Sequence, residues 1–104
     1  MQNLPSHDIT LNIRYDAPKE VWDKIPVTYS KMPGWMGFGD DQLPYWFGGD
    51  NEDEKHIWAS VEPGGLLLCG NIKDDEWVTW VSHFKELATS TLGFEVGDVQ
   101  DGFV

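Results

Sequence analysis

The chain has 104 residues, of which 40% are hydrophobic and six are tryptophan, and it contains one cysteine. That length suits one folded domain, the aromatic content argues against intrinsic disorder, and a lone cysteine excludes an internal disulfide. Eighteen acids against seven lysines and arginines give a formal net charge of −11, which disfavours nucleic acids and anionic membranes as partners and favours a basic protein.

Membrane and export signals are also missing from the sequence. No stretch approaches the roughly 18 apolar residues of a membrane span, and the first residues, MQNLPSHDITLNIRYD, lack the basic start and apolar run of a signal peptide. We therefore expect one soluble domain over residues 1–104, located in the cytoplasm.

The first two predicted elements are a strand and a helix. Apolar and polar residues alternate over residues 9–15, which predicts a half-buried strand. Asp16 is expected to cap a helix with Pro18 in its first turn, and Pro26 is expected to kink or interrupt that helix. Its apolar positions keep helical spacing: Val21, Trp22, Ile25, Tyr29 and Met32.

The next segment, residues 33–54, has no clear periodicity. It contains five glycines, two prolines and six acids in 22 residues. Loops of that length in a compact domain are usually functional or partly ordered. We expect such a loop here, with a short strand at residues 45–47 inside it.

The second half of the chain predicts a hairpin and a helix. HIWASVEPGGLLLCGNI, residues 56–72, predicts two strands joined at Pro63-Gly64-Gly65, the apolar return strand being central in the sheet. Acids at residues 74–76 favour a helix start, and Gly93 is expected to end that helix. Its apolar face comprises Trp77, Trp80, Val81, Phe84, Leu87 and Ala88. Residues 94–99 predict a last edge strand.

This order of elements predicts the fold class. Strand, helix, strand, strand, helix, strand is typical of an α+β domain with a small antiparallel sheet and two helices on one face. We expect the ferredoxin-like split βαβ arrangement, with the aromatic and acidic loop inserted before the hairpin.

No motif in the chain indicates catalysis, a cofactor or a metal. Cys69 lies in the middle of a strand, where a cysteine is usually a small core residue, although His56 or His83 could activate it. The acids from Asp50 onward fail the EF-hand pattern, because Lys55 occupies the glycine position and position twelve is not glutamate. Loose calcium binding by these acids stays open, and we expect no catalytic residue, cofactor or dedicated metal site.

The aromatic and acidic residues of the loop are the candidate site. Phe38 and Phe47 are expected to fold inward, while Trp35, Tyr45 and Trp46 stay accessible as anchors inside an acidic rim. Aromatic anchors in a polar surround are common at tight protein interfaces, and an acidic surround speeds the capture of a basic partner. The predicted partner-binding residues are Trp35, Asp40, Asp41, Tyr45, Trp46, Asp50, Glu52, Asp53 and Glu54.

Three features together resemble a known class of proteins: the loop PGWMGFGDDQLPYWFGGDNEDE, the helix DDEWVTWVSHF and the acidic charge. They are similar to the bacterial immunity proteins of contact-dependent growth inhibition and other polymorphic toxin systems. The resemblance implies a non-enzymatic protein that binds and neutralises a basic toxin, such as a nuclease. It assigns no oligomeric state.

Two alternatives remain open from the sequence. The first is a small-molecule or peptide-binding module whose pocket is lined by Trp35, Trp46 and Trp58. The second is an enzyme of a class that its motifs do not reveal.

Overall fold

The structure is a computed structural model that describes residues 4–48 and 55–103. Its strands form one antiparallel five-stranded sheet in the order β1-β5-β4-β3-β2. This sheet and the two helices confirm the α+β class. The elements are β1 (Ser6–Leu11), α1 (Lys19–Lys31), β2 (Trp35–Phe38), β3 (Pro44–Trp46), β4 (His56–Glu62), β5 (Gly65–Asn71), α2 (Asp74–Leu92) and a short 3₁₀ helix at Val99–Asp101.

Both helices pack on the same face of the sheet, and Trp46 of β3 shows this directly. Its indole Nε1 donates a hydrogen bond to the carbonyl of Tyr29 in α1 at 3.0 Å, and its ring lies 5.0 Å from that of Trp80 in α2. Trp46 pairs with Ile57 across the sheet, so the two side chains share this face. The hydrophobic core lies between this face and the helices.

The apolar patterns of the hairpin and of α2 predicted these elements correctly. β4 and β5 pair in continuous register from His56–Asn71 to Glu62–Gly65. Gly65 has φ +136°, and an added Cβ would lie 2.1 Å from the Leu11 carbonyl oxygen, so the turn requires glycine there. Helix α2 ends at Gly93 in the left-handed conformation, as expected.

The start of the chain departs from the prediction in three details. Strand β1 lies at Ser6–Leu11 rather than at residues 9–15, because its pairing with β5 ends where Leu11 meets Leu66. Asp16 does not cap α1; it accepts a hydrogen bond from Arg14 instead. Helix α1 continues through Pro26, so it is not interrupted there, and the alternative of a kink stays a prediction.

The predicted last strand is wrong. Residues 94–98 contribute only an isolated bridge between Leu11 and Asp98. The Asn12 amide joins this segment to the end of β1, donating to the Glu95 carbonyl and accepting from the Gly97 N–H, both at 2.9 Å. The ferredoxin-like arrangement is therefore not confirmed, since the sheet is extended by β3 and β2 at its other edge instead.

The predicted long loop is also wrong over its first part. Residues 35–46 form the β2–β3 hairpin, which extends the sheet beyond β4. The expected short strand is present as β3, one residue earlier than predicted. The register between β2 and β3 shifts between Trp35 and Gly37, and such a bulge hides the strand from a period-two pattern.

Candidate protein-binding surface

The structure reverses the expected places of three loop aromatics. Trp46 is 0% exposed and Tyr45 is 7% exposed, so neither can anchor a partner in this structure. Phe38, expected inside, is 54% exposed. Phe47 packs partly buried against the core, as expected. The accessible apolar residues of this region are therefore on β2 and not on β3.

Phe38 is held in place although half of it is exposed. Its ring lies 5.5 Å from that of Trp35, edge to face, and 6.3 Å from that of Tyr29. Trp35 in turn packs at 5.4 Å against Trp46. Edge-to-face aromatic pairs each contribute about 0.5–1.5 kcal/mol beyond burial. Phe38 is thus the surface end of an aromatic cluster that reaches the core, and a side chain so held loses little freedom when a partner binds.

Two carboxylates follow Phe38 in the turn between β2 and β3. Asp40 and Asp41 are both exposed. The Tyr45 hydroxyl donates to Asp41 Oδ2 at 2.5 Å and the Leu43 N–H donates to Asp41 Oδ1 at 3.0 Å. Both bonds lower the pKa of Asp41, and the bond from Tyr45 has the larger effect. Its charge is therefore kept and its orientation is fixed.

A groove opens beside this turn. It lies between α1 and the ends of β2, β3 and β4 and has a volume of about 220 Å³. Trp22 and Pro26 of α1 form one wall, and Val61 of β4, 50% exposed, forms part of the other. We call this the apolar groove; its chief lining residues are Trp22, Pro26, Phe38, Leu43, Pro44 and Val61.

The structure gathers some of the predicted site residues and separates others. Trp35 is half-buried and lies beside Phe38, close in sequence to Asp40 and Asp41. Four predicted acids, Asp50, Glu52, Asp53 and Glu54, lie outside the described residues. Sequence reasoning missed exposed Met36 and Phe38 and the groove residues Trp22, Pro26 and Val61. No single sequence signal marks them, since Met36 and Phe38 lie in the predicted loop and the other three lie within predicted elements.

The alternative pocket lined by three tryptophans is not formed. Trp58 pairs with Tyr45 while Trp46 pairs with Ile57. Neighbouring residues of a strand point to opposite faces of a sheet, so Trp58 lies on the face away from the helices. Trp46 is fully buried on the other face. The two indoles therefore cannot line one cavity with Trp35.

Cys69 also lies on the face away from the helices, paired with Asp8 and Trp58. It is half-buried there rather than inside the core. Burial, then the charges of Asp8 and Glu62, raise the pKa of the thiol to about 11. Since the thiolate is the nucleophile, Cys69 is a poor one at neutral pH.

The described part of the chain contains neither a group of metal ligands nor a membrane-spanning helix. Over residues 4–48 and 55–103, no three His, Cys, Asp or Glu side chains are placed to hold a metal ion. Neither described α-helix is long and apolar enough to cross a bilayer. The acids proposed for loose calcium binding include the four outside these ranges, so that prediction stays untested.

The chain matches no protein-family model, no curated protein and no solved structure. The surface itself is therefore the basis for assigning a function.

Proposed function

We propose that this protein is a non-enzymatic inhibitor of the immunity type, which binds and neutralises a basic protein toxin in the cytoplasm. The observation that carries the proposal is that one short hairpin, β2–β3, exposes both apolar and acidic side chains. Met36 and Phe38 expose apolar surface, and the exposed carboxylates of Asp40 and Asp41 begin two residues after Phe38, on a chain of net charge −11.

The arrangement suits a partner that normally grips phosphate. A nuclease presents lysines and arginines to the nucleic-acid backbone, and carboxylates can form ion pairs with those side chains in place of phosphates. The excess of acids steers such a partner into contact and raises the association rate. Aromatic contact then slows dissociation, because buried aromatic anchors carry most of the energy at protein interfaces.

The test combines neutralisation with association kinetics. The product of the gene next to this chain's gene is expressed in bacteria with and without this protein, and growth is measured. For the purified pair, stopped-flow measurements give the association rate against salt concentration. We expect growth to be rescued and the rate to fall as salt rises, because salt screens exposed charges.

A matched pair of variants tests the place of contact. Asp40→Asn with Asp41→Asn removes two charges from the turn, and Glu86→Gln with Glu95→Gln removes two exposed charges elsewhere. We expect the first pair to slow association at low salt by up to about tenfold and the second to change it little. Equal rates for both pairs would contradict binding at the turn, and a lack of growth rescue would contradict the function.

A further inference from the structure

The apolar groove is too small for an ordinary ligand pocket. Pockets for drug-sized molecules hold about 300–1,000 Å³, whereas this groove holds about 220 Å³. That space corresponds to one large side chain. Its walls already present half-exposed Phe38 and Val61, which gain from being covered.

Of the described residues that line the groove, none is charged, but the turn next to it is acidic and the groove contains a hydrogen-bond acceptor, which favours an occupant with a hydrogen-bond donor and flanking positive charge. Gln42 and Leu43 line the groove, and Asp40 and Asp41 directly precede them. The Asp41 carboxylate is held by two hydrogen bonds. Pro26 has no N–H, so the carbonyl of Trp22 lacks its usual donor four residues later in the helix. Both of those residues line the groove.

A second copy of the chain fits the groove poorly. Each copy carries a net charge of −11, so two copies repel one another. Asp40 and Asp41, which precede the groove residues Gln42 and Leu43 in the turn, would approach further carboxylates of the second copy. A basic segment removes that repulsion, since each lysine or arginine beside the inserted side chain can pair with one of these acids.

We propose that the apolar groove binds one tryptophan, or another large apolar side chain, from a basic segment of a protein partner. Flanking lysines or arginines of that segment pair with Asp40 and Asp41. The inference deepens the proposed function and rests on it only for the identity of the partner as a toxin. The recognition itself is a property of the groove and can be measured without the toxin.

The test is a nuclear magnetic resonance titration of the isotope-labelled full chain with three capped tripeptides. They are Lys-Trp-Lys, Glu-Trp-Glu and Lys-Ala-Lys, each acetylated and amidated. We expect Lys-Trp-Lys to shift the amide resonances of Phe38, Leu43 and Val61, with a Kd on the order of 1 mM. Glu-Trp-Glu should bind several-fold more weakly, and Lys-Ala-Lys should leave these resonances in place.

Other outcomes overturn the proposal. No shift at the groove with Lys-Trp-Lys would remove the groove as a binding site. Equal binding of Glu-Trp-Glu would remove the selection for a basic segment. Self-association of the labelled chain through these same residues would make a second copy the occupant, against the charge argument.

Variants separate groove binding from fold and from toxin neutralisation. Val61→Ser and the control Val78→Ser change two similarly exposed valines, 50% and 62%, of which only Val61 lines the groove. We expect Val61→Ser to weaken Lys-Trp-Lys binding several-fold and Val78→Ser to leave it unchanged. The affinity of Val61→Thr, which keeps the side-chain volume, should lie between those of Val61→Ser and the parent chain. Toxin neutralisation unchanged by Val61→Ser would overturn the groove and leave the proposed function. Binding of Lys-Trp-Lys at the groove by a protein that fails to neutralise the toxin would overturn the proposed function and leave the groove as a binding site.

Discussion

Replacing Trp46 by phenylalanine tests whether the centre of the aromatic cluster is structural. The indole contacts Tyr29 at 5.2 Å, Trp35 at 5.4 Å and Trp80 at 5.0 Å between ring centroids. It is fully buried and donates to the Tyr29 carbonyl. Phenylalanine keeps one ring but removes the donor and part of the volume.

The expected loss can be worked from these contacts. A hydrogen bond of this kind contributes about 1 kcal/mol net. The Tyr29 carbonyl also accepts from the Met32 N–H, so it is not left without a partner and the larger desolvation penalty does not apply. The missing ring volume adds about 1–2 kcal/mol, a part of the roughly 3–5 kcal/mol for removing a whole aromatic side chain. The free energy of unfolding should fall by about 2–3 kcal/mol.

The measurement is urea unfolding followed by far-ultraviolet circular dichroism, so that the loss of a tryptophan does not alter the signal. For a domain of this size the loss corresponds to a decrease in Tm of about 10–20 °C. The matched control is Trp58→Phe on the half-exposed outer face, expected to cost less than about 1 kcal/mol. Equal losses for the two variants would refute the packing argument and reopen Trp46 as a surface anchor.

Three further predictions concern the turn glycine, the thiol and the turn carboxylate. Gly65→Ala should lower the free energy of unfolding by at least about 2 kcal/mol through backbone strain and overlap, whereas Gly64→Ala, with open space around it, should change it little; equal melting temperatures would contradict the turn geometry. Cys69 should react with iodoacetamide at neutral pH about a hundredfold more slowly than an ordinary thiol, because its pKa is raised to about 11; a rate equal to that of the urea-unfolded chain would contradict this. Asp41 has a folded pKa below its ordinary value of 3.8, so it contributes stability above that value, which is lost as pH falls through the folded pKa. Tyr45→Phe should therefore raise the Asp41 pKa in a carbon-13 titration, and an unchanged pKa would contradict the hydrogen bond as its cause.

The fold could be predicted from the sequence where periodicity and length agree. Helix α2 repeats its apolar positions over 19 residues, and β4 alternates beside a distinctive turn. Strand β2 has only four residues and contains Gly37 with φ +97°, so no pattern indicates it. The last predicted strand failed for another reason. The Asn12 side chain binds the Glu95 carbonyl and the Gly97 N–H, and the Thr89 hydroxyl accepts from the Val96 N–H. Composition does not show which partner a polar group finds.

The site could be predicted only as a region. Acids mixed with aromatics drew attention to residues 33–54, yet the structure exposes Phe38 and buries Tyr45 and Trp46, the reverse of the expectation for these three. Strand β3 is buried at all three positions, because Tyr45 and Trp46 point to opposite faces and both are covered. Without the neighbours of a strand, alternation cannot distinguish that case from a strand with one exposed face. The groove was missed because α1, β2 and β4 form it together.

The sheet order has a consequence for how the chain folds. Strands β2 to β5 form a meander in which each strand pairs with the next, whereas β1 pairs with β5 across all the intervening elements. Closing the longer loop costs more entropy, so β1 is expected to dock late. Until it does, β5 presents an open edge with Leu66, Leu67 and Leu68, and open apolar edges recruit other chains. Refolding should therefore lose yield as protein concentration rises, even though the finished sheet covers that edge.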